Sequence, residues 1–193
     1  MQAAFAFVIA YLIGSIEFGV LVPRALGIDI YDQGSGNPGT SNVFRSLGKG
    51  PAALVLLGDA SKGLLAAALG AVWIGGAAGF ACAFAAVLGH VFPVWHRFRG
   101  GRGVATAIGA AIWLEPWFGL LLAIVWLAIV LIGKVASVAS LIAMALYVPG
   151  FYVGGHRGAS LLWALATAAL VVAQHAPNIR RIVTGREAKM GTP

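Results

Sequence analysis

The chain has 193 residues, of which 60% are hydrophobic and only 10% charged, far below the roughly 25% charge of a soluble domain. A bilayer crossing takes about 20 apolar residues, so the composition excludes a large aqueous domain and predicts an all-α, polytopic membrane protein forming one transmembrane domain over residues 1–193. The 13 Lys and Arg against 6 Asp and Glu are not gathered into a basic arm or helix face, which excludes nucleic acid as a partner, and the single cysteine, Cys82, excludes an internal disulfide and a cysteine-based metal site.

Residues 3–22 are apolar, with no basic residue before them and no small-residue cleavage site after, and are read as a first span rather than a signal peptide. Residues 24–50 form the longest polar segment and are read as a loop. Apolar runs follow at 51–73, 75–94, 103–114, 117–132, 135–153 and 159–173, which makes seven candidate spans. The run 103–114 is the weakest: its helix reaches only about 18 Å against a hydrocarbon core of about 30 Å, so it is short or re-entrant. With seven spans, Arg24, Arg45, Lys49, Arg97, Arg99, Arg102, Lys134, Arg180, Arg181, Arg186 and Lys189 share one side, and only Arg157 lies on the other. That bias predicts an amino terminus outside, a carboxyl terminus in the cytoplasm and Glu115-Pro116 as a tight outer hairpin. Trp73, Trp95, Trp113 and Trp117 fall at span ends, where indole rings favour the headgroup layer, and the small residues from Gly75 to Gly79 favour close helix packing.

This topology carries three polar segments to one face: GSGNPGTSNVFR (34–45), HRFRGGRG (96–103) and HAPNIRR (175–181). Together they supply glycine-rich backbone, guanidinium, imidazole and carboxamide groups, a set suited to a phosphate-bearing ligand. The first segment matches GxGxxG at Gly34, Gly36 and Gly39 and falls one lysine short of a Walker loop, but both fingerprints require a βαβ unit that membrane helices do not supply. The physical property remains, because glycines leave successive amides open to phosphate oxygens, and Ser35, Asn37 and Ser41 add side-chain donors. A plain β-turn at Asn37-Pro38-Gly39 is the competing reading.

In the second segment Arg97 serves as a topology anchor. Arg102, between Gly101 and Gly103, faces the start of a short helix with Thr106 in its first turn, so guanidinium and helix terminus can meet one anion. In the third, His175 and Asn178 are i, i+3 neighbours on one face at the end of the last span. Inside spans lie Glu17, Asp59, Lys62 and His90. Asp59 and Lys62, also i, i+3, are read as a buried ion pair supporting the site, and His90 is counted as a further supporting residue. Ser137 and Ser140 begin the sixth span near the same face, Ser140 as a packing serine or a ligand donor. No GxSxG elbow, HxxxxD pair or DxxDG…AR cluster occurs, which removes serine hydrolases, His-Asp acyltransferases and metal-dependent phosphatidyl-alcohol transferases.

Read in order, GSI at Gly14, GSGNxG at Gly34, NVxRxLGK at Asn42, DxxKG at Asp59, GHxFPxxxxF at Gly89, GGxGVAT at Gly100, SVASL at Ser137 and HxxNIxR at His175, with Gly185 and Glu187, resemble the bacterial acyl-phosphate:glycerol-3-phosphate acyltransferases over nearly the whole chain. The resemblance implies a seven-span enzyme of the bacterial cytoplasmic membrane that moves a fatty acyl group from acyl phosphate to the 1-hydroxyl of glycerol 3-phosphate, with lysophosphatidic acid and phosphate as products. By the same analogy the loop Gly34, Gly36 and Gly39, with Ser35, Asn37 and Asn42, holds the acyl-phosphate head. Arg45, Arg102, Ser140, His175 and Asn178 clasp glycerol 3-phosphate. Ser35, Arg45, Arg102, His175 and Asn178 are the candidate catalytic residues, and no cofactor, metal or obligatory protein partner is expected.

Acyl phosphate is already activated, so charge neutralisation and alignment carry the chemistry and no acyl-enzyme is required. The chain departs from the family pattern at Glu17, where proline is usual, at Thr40-Ser41, where Ala-Thr is usual, and at Arg102, which replaces a lysine. A protonated carboxyl at position 17, packing against polar groups of the second span, is the expectation for Glu17. A membrane anion or organophosphate transporter is the alternative reading, since a buried ion pair and a basic rim also suit a pathway.

Overall fold

A computed structural model describes residues 1–190, and every regular element among them is helical. The helices are α1 (Gln2–Gly14), α2 (Phe18–Ala25), α3 (Thr40–Leu47), α4 (Lys49–Trp73), α5 (Ala78–Val91), α6 (Val104–Leu114), α7 (Pro116–Gly133), α8 (Ala136–Val153), α9 (Ala159–Gln174) and α10 (Ala176–Val183). Five stretches are long and apolar enough to cross a membrane: Gln2–Ala25, Lys49–Trp73, Ala78–His96, Pro116–Gly133 and Ala136–Val153. A sixth appears if α9 and α10, bent by 56°, are counted as one. The seventh apolar segment is α6, which at 11 residues is as short as the sequence indicates.

Glycine and alanine dictate the packing. A Cβ on Gly63 of α4 would collide with the Thr106 carbonyl of α6, and one on Gly109 of α6 with the Ala60 carbonyl of α4. The two backbones therefore touch, and the short α6 is enclosed by α4, α5 and α7. Such close approach lets dispersion hold helices together where lipid removes the hydrophobic drive. The Tyr147 hydroxyl on α8 adds a bond to the Ala107 carbonyl at 3.1 Å. Several large aliphatic side chains point outward: Leu54 and Leu57 on α4 and Ile124, Leu131 and Ile132 on α7 are exposed, as lipid-facing positions are.

Three expectations change. The polar segment 24–50 is not all loop: it holds a 3₁₀ turn at Ile30–Asp32 and helix α3, whose Val43, Phe44 and Leu47 pack with Val20, Ile30, Ala52 and Val55. An amphipathic turn that short shows little periodicity, and packing decides it. The first apolar segment is broken at residues 15–17, where Ser15 Oγ donates to the Tyr11 carbonyl at 2.9 Å and Glu17 turns inward. His175 and Asn178 do not share one helix end. His175 sits at the bend and Asn178 belongs to α10, because Pro177 lacks an N–H and cannot prolong α9 but suits the first turn of a new helix.

Candidate active site

The glycine loop, the arginine turn and the bend at His175 meet at one end of the bundle. In the loop, Gly34 and Gly36 take φ of 53° and 66°, a region a side chain would strain. Gly36 N–H donates to the Gln33 carbonyl at 2.8 Å and Gly39 N–H to the Asn37 carbonyl at 2.8 Å. Asn42, buried in the first turn of α3, ties the loop down: its Oδ1 accepts from Ser35 N at 3.0 Å and its Nδ2 donates to the Gln33 carbonyl at 2.9 Å. Both ends of that carboxamide hold the loop, and the Ser35 amide is engaged with it. Ser35 Oγ and the Asn37 side chain make no hydrogen bond among the described residues and face the cavity.

The arginine turn is shaped by backbone in the left-handed region at Arg97 and Phe98, with φ of 53° and 59°, and at Gly103, with φ of 85°. Gly100 N–H donates to the Val91 carbonyl at 3.2 Å and Gly101 N–H to the His90 carbonyl at 3.0 Å. These bonds lay Arg102 beside the end of α5, one residue before the cap of α6. Arg45 approaches from α3. Burial pushes both guanidiniums below the ordinary arginine value, and Arg181 adds to the effect while Glu187 opposes it. Arginine stays charged regardless, so a surplus of positive charge faces the space between them.

That space is a cavity of about 300 Å³. Its polar end carries Ser35, Asn37, Arg45, Arg102, Ser137, Ser140 and His175, together with Ser41, Asp59 and His90. Its other walls are apolar: Leu56, Leu57 and Ala60 from α4, Val104, Ile108 and Ile112 from α6, and Ala123, Trp126 and Leu127 from α7. Of these residues Leu57 and Leu127 are 64% and 48% exposed, so the apolar lining continues onto the outer surface of α4 and α7. A second, polar cavity of about 350 Å³ shares Ser35, Asn37 and Arg102 and extends past Tyr31, Arg99, Gln174 and Arg181. Ser35 and Arg102 therefore stand where an apolar chamber meets a polar one, an arrangement suited to a molecule with a greasy chain and an anionic head.

The remaining groups are arranged by hydrogen bonds. His175 Nδ1 lies 2.7 Å from the Val171 carbonyl. A carbonyl only accepts, so Nδ1 carries the proton, and in the neutral ring Nε2 is left with a lone pair. Glu187, noted in the sequence only as part of a motif, is the hub that residue spacing did not reveal. Its Oε1 accepts from Ser137 Oγ at 2.7 Å and from Asn178 Nδ2, and its Oε2 faces Arg181 Nε at 2.7 Å. Burial pushes this carboxyl up, but those bonds outweigh it and hold it below the ordinary value of 4.5. Asn178 is thus oriented by Glu187. Ser140 Oγ donates to the Ala136 carbonyl at 2.8 Å and accepts from Trp126 Nε1 at 3.1 Å. The expected ion pair forms, with Lys62 Nζ 2.9 Å from Asp59 Oδ1. Glu17 and His90 join it, which places the Glu17 carboxyl against the second span as the sequence suggested, but as the ion-pair partner of Lys62 and not as the protonated group expected there.

Residues 4–185 match the family model described as glycerol-3-phosphate acyltransferase. The chain belongs to that family. It is 44% identical over 185 residues to the glycerol-3-phosphate acyltransferase of Sinorhizobium medicae, covering 95% of this chain and 90% of the relative. It is 42% identical over 197 residues to that of Chromobacterium violaceum, covering 97% and 95%. Two crystal structures of PlsY, an integral membrane glycerol 3-phosphate acyltransferase, match at 38% identity over 100% of this chain and 97% of theirs. The glycerol 3-phosphate form gives a TM-score of 0.93 and the lysophosphatidic acid form 0.92. The chain is therefore an integral membrane acyltransferase of the PlsY type, and the transporter alternative falls.

Proposed function

We propose that the acyl donor is acyl phosphate and that the chain transfers its acyl group directly to the 1-hydroxyl of glycerol 3-phosphate, without an acyl-enzyme, giving lysophosphatidic acid and inorganic phosphate as the first step of phospholipid synthesis. The observation that carries this reading is the cavity itself, which joins apolar walls from α4, α6 and α7 to two guanidiniums, a glycine loop and an imidazole. The acyl chain occupies the apolar slot between those walls, and the phosphate head meets the glycine loop at Ser35 and Asn37. Arg45 and Arg102, with Ser140, His175 and Asn178, clasp and orient glycerol 3-phosphate.

The hydroxyl oxygen attacks the acyl carbonyl carbon, and the bond from that carbon to the phosphate oxygen breaks. Phosphate leaves, and the hydroxyl proton passes to His175 Nε2 or to the departing phosphate. Arginines and loop donors stabilise the charge that develops, which in a dry site outweighs what they do in water. Direct transfer is further supported by the placement of Ser35, to which, among the described residues, no imidazole or carboxylate is hydrogen-bonded to activate it as a nucleophile. The charge distribution supports seven crossings in one domain spanning the bacterial cytoplasmic membrane, with the amino terminus outside and the site facing the cytoplasm. The site's donors need no cofactor and no second protein.

Phosphate release from palmitoyl phosphate by the purified protein, with and without glycerol 3-phosphate, tests this. Release that depends on glycerol 3-phosphate, yields lysophosphatidic acid and falls in Arg45→Ala is expected. Ping-pong kinetics or a trapped acyl group on Ser35 would overturn direct transfer.

A further inference from the structure

Glu17 is a carboxylate 0% exposed at a break between two apolar helices, and such a group in a membrane protein requires a partner and a function. Its Oε1 lies 3.1 Å from Lys62 Nζ and 3.2 Å from His90 Nδ1. Asp59 Oδ1 faces the same two nitrogens, at 2.9 and 3.6 Å. Lys62 also donates to the Ile16 carbonyl at 2.7 Å, which ties the break itself to α4. The Asp59 distance to the ring is beyond hydrogen-bonding range, so Glu17 is the ring's nearer carboxylate. The hold is electrostatic, since among the described residues His90 Nδ1 has no aligned hydrogen bond.

The opposite edge of the ring touches the active site. Gly101 rests on it so closely that a Cβ there would collide with Nε2 and Cε1 of His90. Gly101 N–H also donates to the His90 carbonyl at 3.0 Å. The backbone bearing Arg102 is thus seated on the His90 side chain and hooked to its main chain. A continuous path of contact runs from Glu17 through the His90 ring and Gly101 to Arg102.

We propose that Glu17 is a positioning residue: by holding the Nδ1 edge of His90, with Lys62 as the shared counter-ion, it fixes the surface on which Gly101 rests and so the place where Arg102 meets the anionic substrate. This rests on Arg102 being an anion-holding residue. A guanidinium binds two oxygens through a planar fork and depends on alignment, whereas an ammonium acts as a point charge on a flexible stem. The effect of losing Glu17 is therefore large when residue 102 is Arg and small when it is Lys.

The test is a double-mutant cycle with Glu17→Gln and Arg102→Lys in purified protein, reading kcat/KM per folded enzyme beside thermal melting, with Arg102→Ala in parallel. We expect Glu17→Gln to lower kcat/KM about tenfold in the parent and about twofold or less in the Arg102→Lys background, a coupling typical of residues joined through direct contacts. Equal falls in both backgrounds, or a lowered melting temperature with kcat/KM unchanged, would reduce Glu17 to a counter-ion for Lys62 and overturn the inference. If Glu17→Gln yields no folded protein, Glu17→Asp keeps the charge, withdraws it by one methylene and serves in the same cycle. Full turnover in Arg102→Ala overturns instead the reading of Arg102 on which the inference stands.

Discussion

Two carboxylate-centred networks flank the cavity, and they differ in what surrounds the charge. Around Lys62, two carboxylates and an imidazole are packed among α4, α5 and the break before α2, and every one of these groups is buried. Around Glu187, a single carboxylate gathers a serine, a carboxamide and one arginine from α8 and α10, near the surface. The first network sets its buried charges against one another around Lys62 and so serves as a rigid floor. The second takes up Arg181, and among the described residues Arg45 and Arg102 have no carboxylate partner and are available to anions. A phosphate site in a membrane protein needs both: buried charges that cancel for stability, and cationic charges that do not cancel for binding.

Removing the cation of the buried network is the most damaging change. Lys62→Ala leaves two buried carboxylates uncompensated and should destabilise the protein by about 3–5 kcal/mol, or abolish folding, as read by thermal melting in detergent. The equivalent change at the surface network should be milder in stability and more visible in activity. Glu187→Ala releases Asn178, Ser137 and Arg181 together, and turnover should fall about tenfold to a hundredfold while melting shifts by about 1–2 kcal/mol in stability. Arg102→Ala should lose most activity with little change in melting, whereas Arg102→Lys keeps the charge and should retain substantial activity in the same phosphate-release assay. Trp126→Phe removes the donor to Ser140 and enlarges the apolar slot slightly. We expect about 1 kcal/mol of lost stability, with a measurable shift in acyl-chain preference across a series of acyl phosphates.

The smallest effect is one of acid. The folded Glu187 carboxyl titrates below its ordinary value of 4.5, so the unfolded chain binds its proton more readily. The Glu187 contribution is then fully present above the ordinary value and is lost as pH falls through the depressed one. Acid melting curves of the parent and Glu187→Gln should converge there and separate at neutral pH.

Much of the site was legible because its chemistry is local. Arg102 between two glycines, the turn residues Asn37-Pro38-Gly39 and the i, i+3 pair Asp59-Lys62 announce themselves in a few residues. Other features were not. Asn42 is drawn into holding the loop by contacts to Ser35 and Gln33, seven and nine residues away, and Glu187 reaches Ser137 across 50 residues. Neither distance leaves a periodic trace. The family resemblance identified both residues as motif members without saying that one ties down a loop and the other is a hub.

Composition and hydropathy alone determined that the chain enters a bilayer, where its apolar segments lie and which polar segments share an end, because the transfer of apolar and charged groups between water and lipid depends on residue type and order. Tertiary structure decided the rest. It broke the first apolar stretch at Glu17, turned the chain at Pro177, made α3 out of an apparent loop and brought His90 under Gly101. Those outcomes depend on close approach between helices distant in sequence, where glycine and alanine let backbones touch and a buried charge must find its partner.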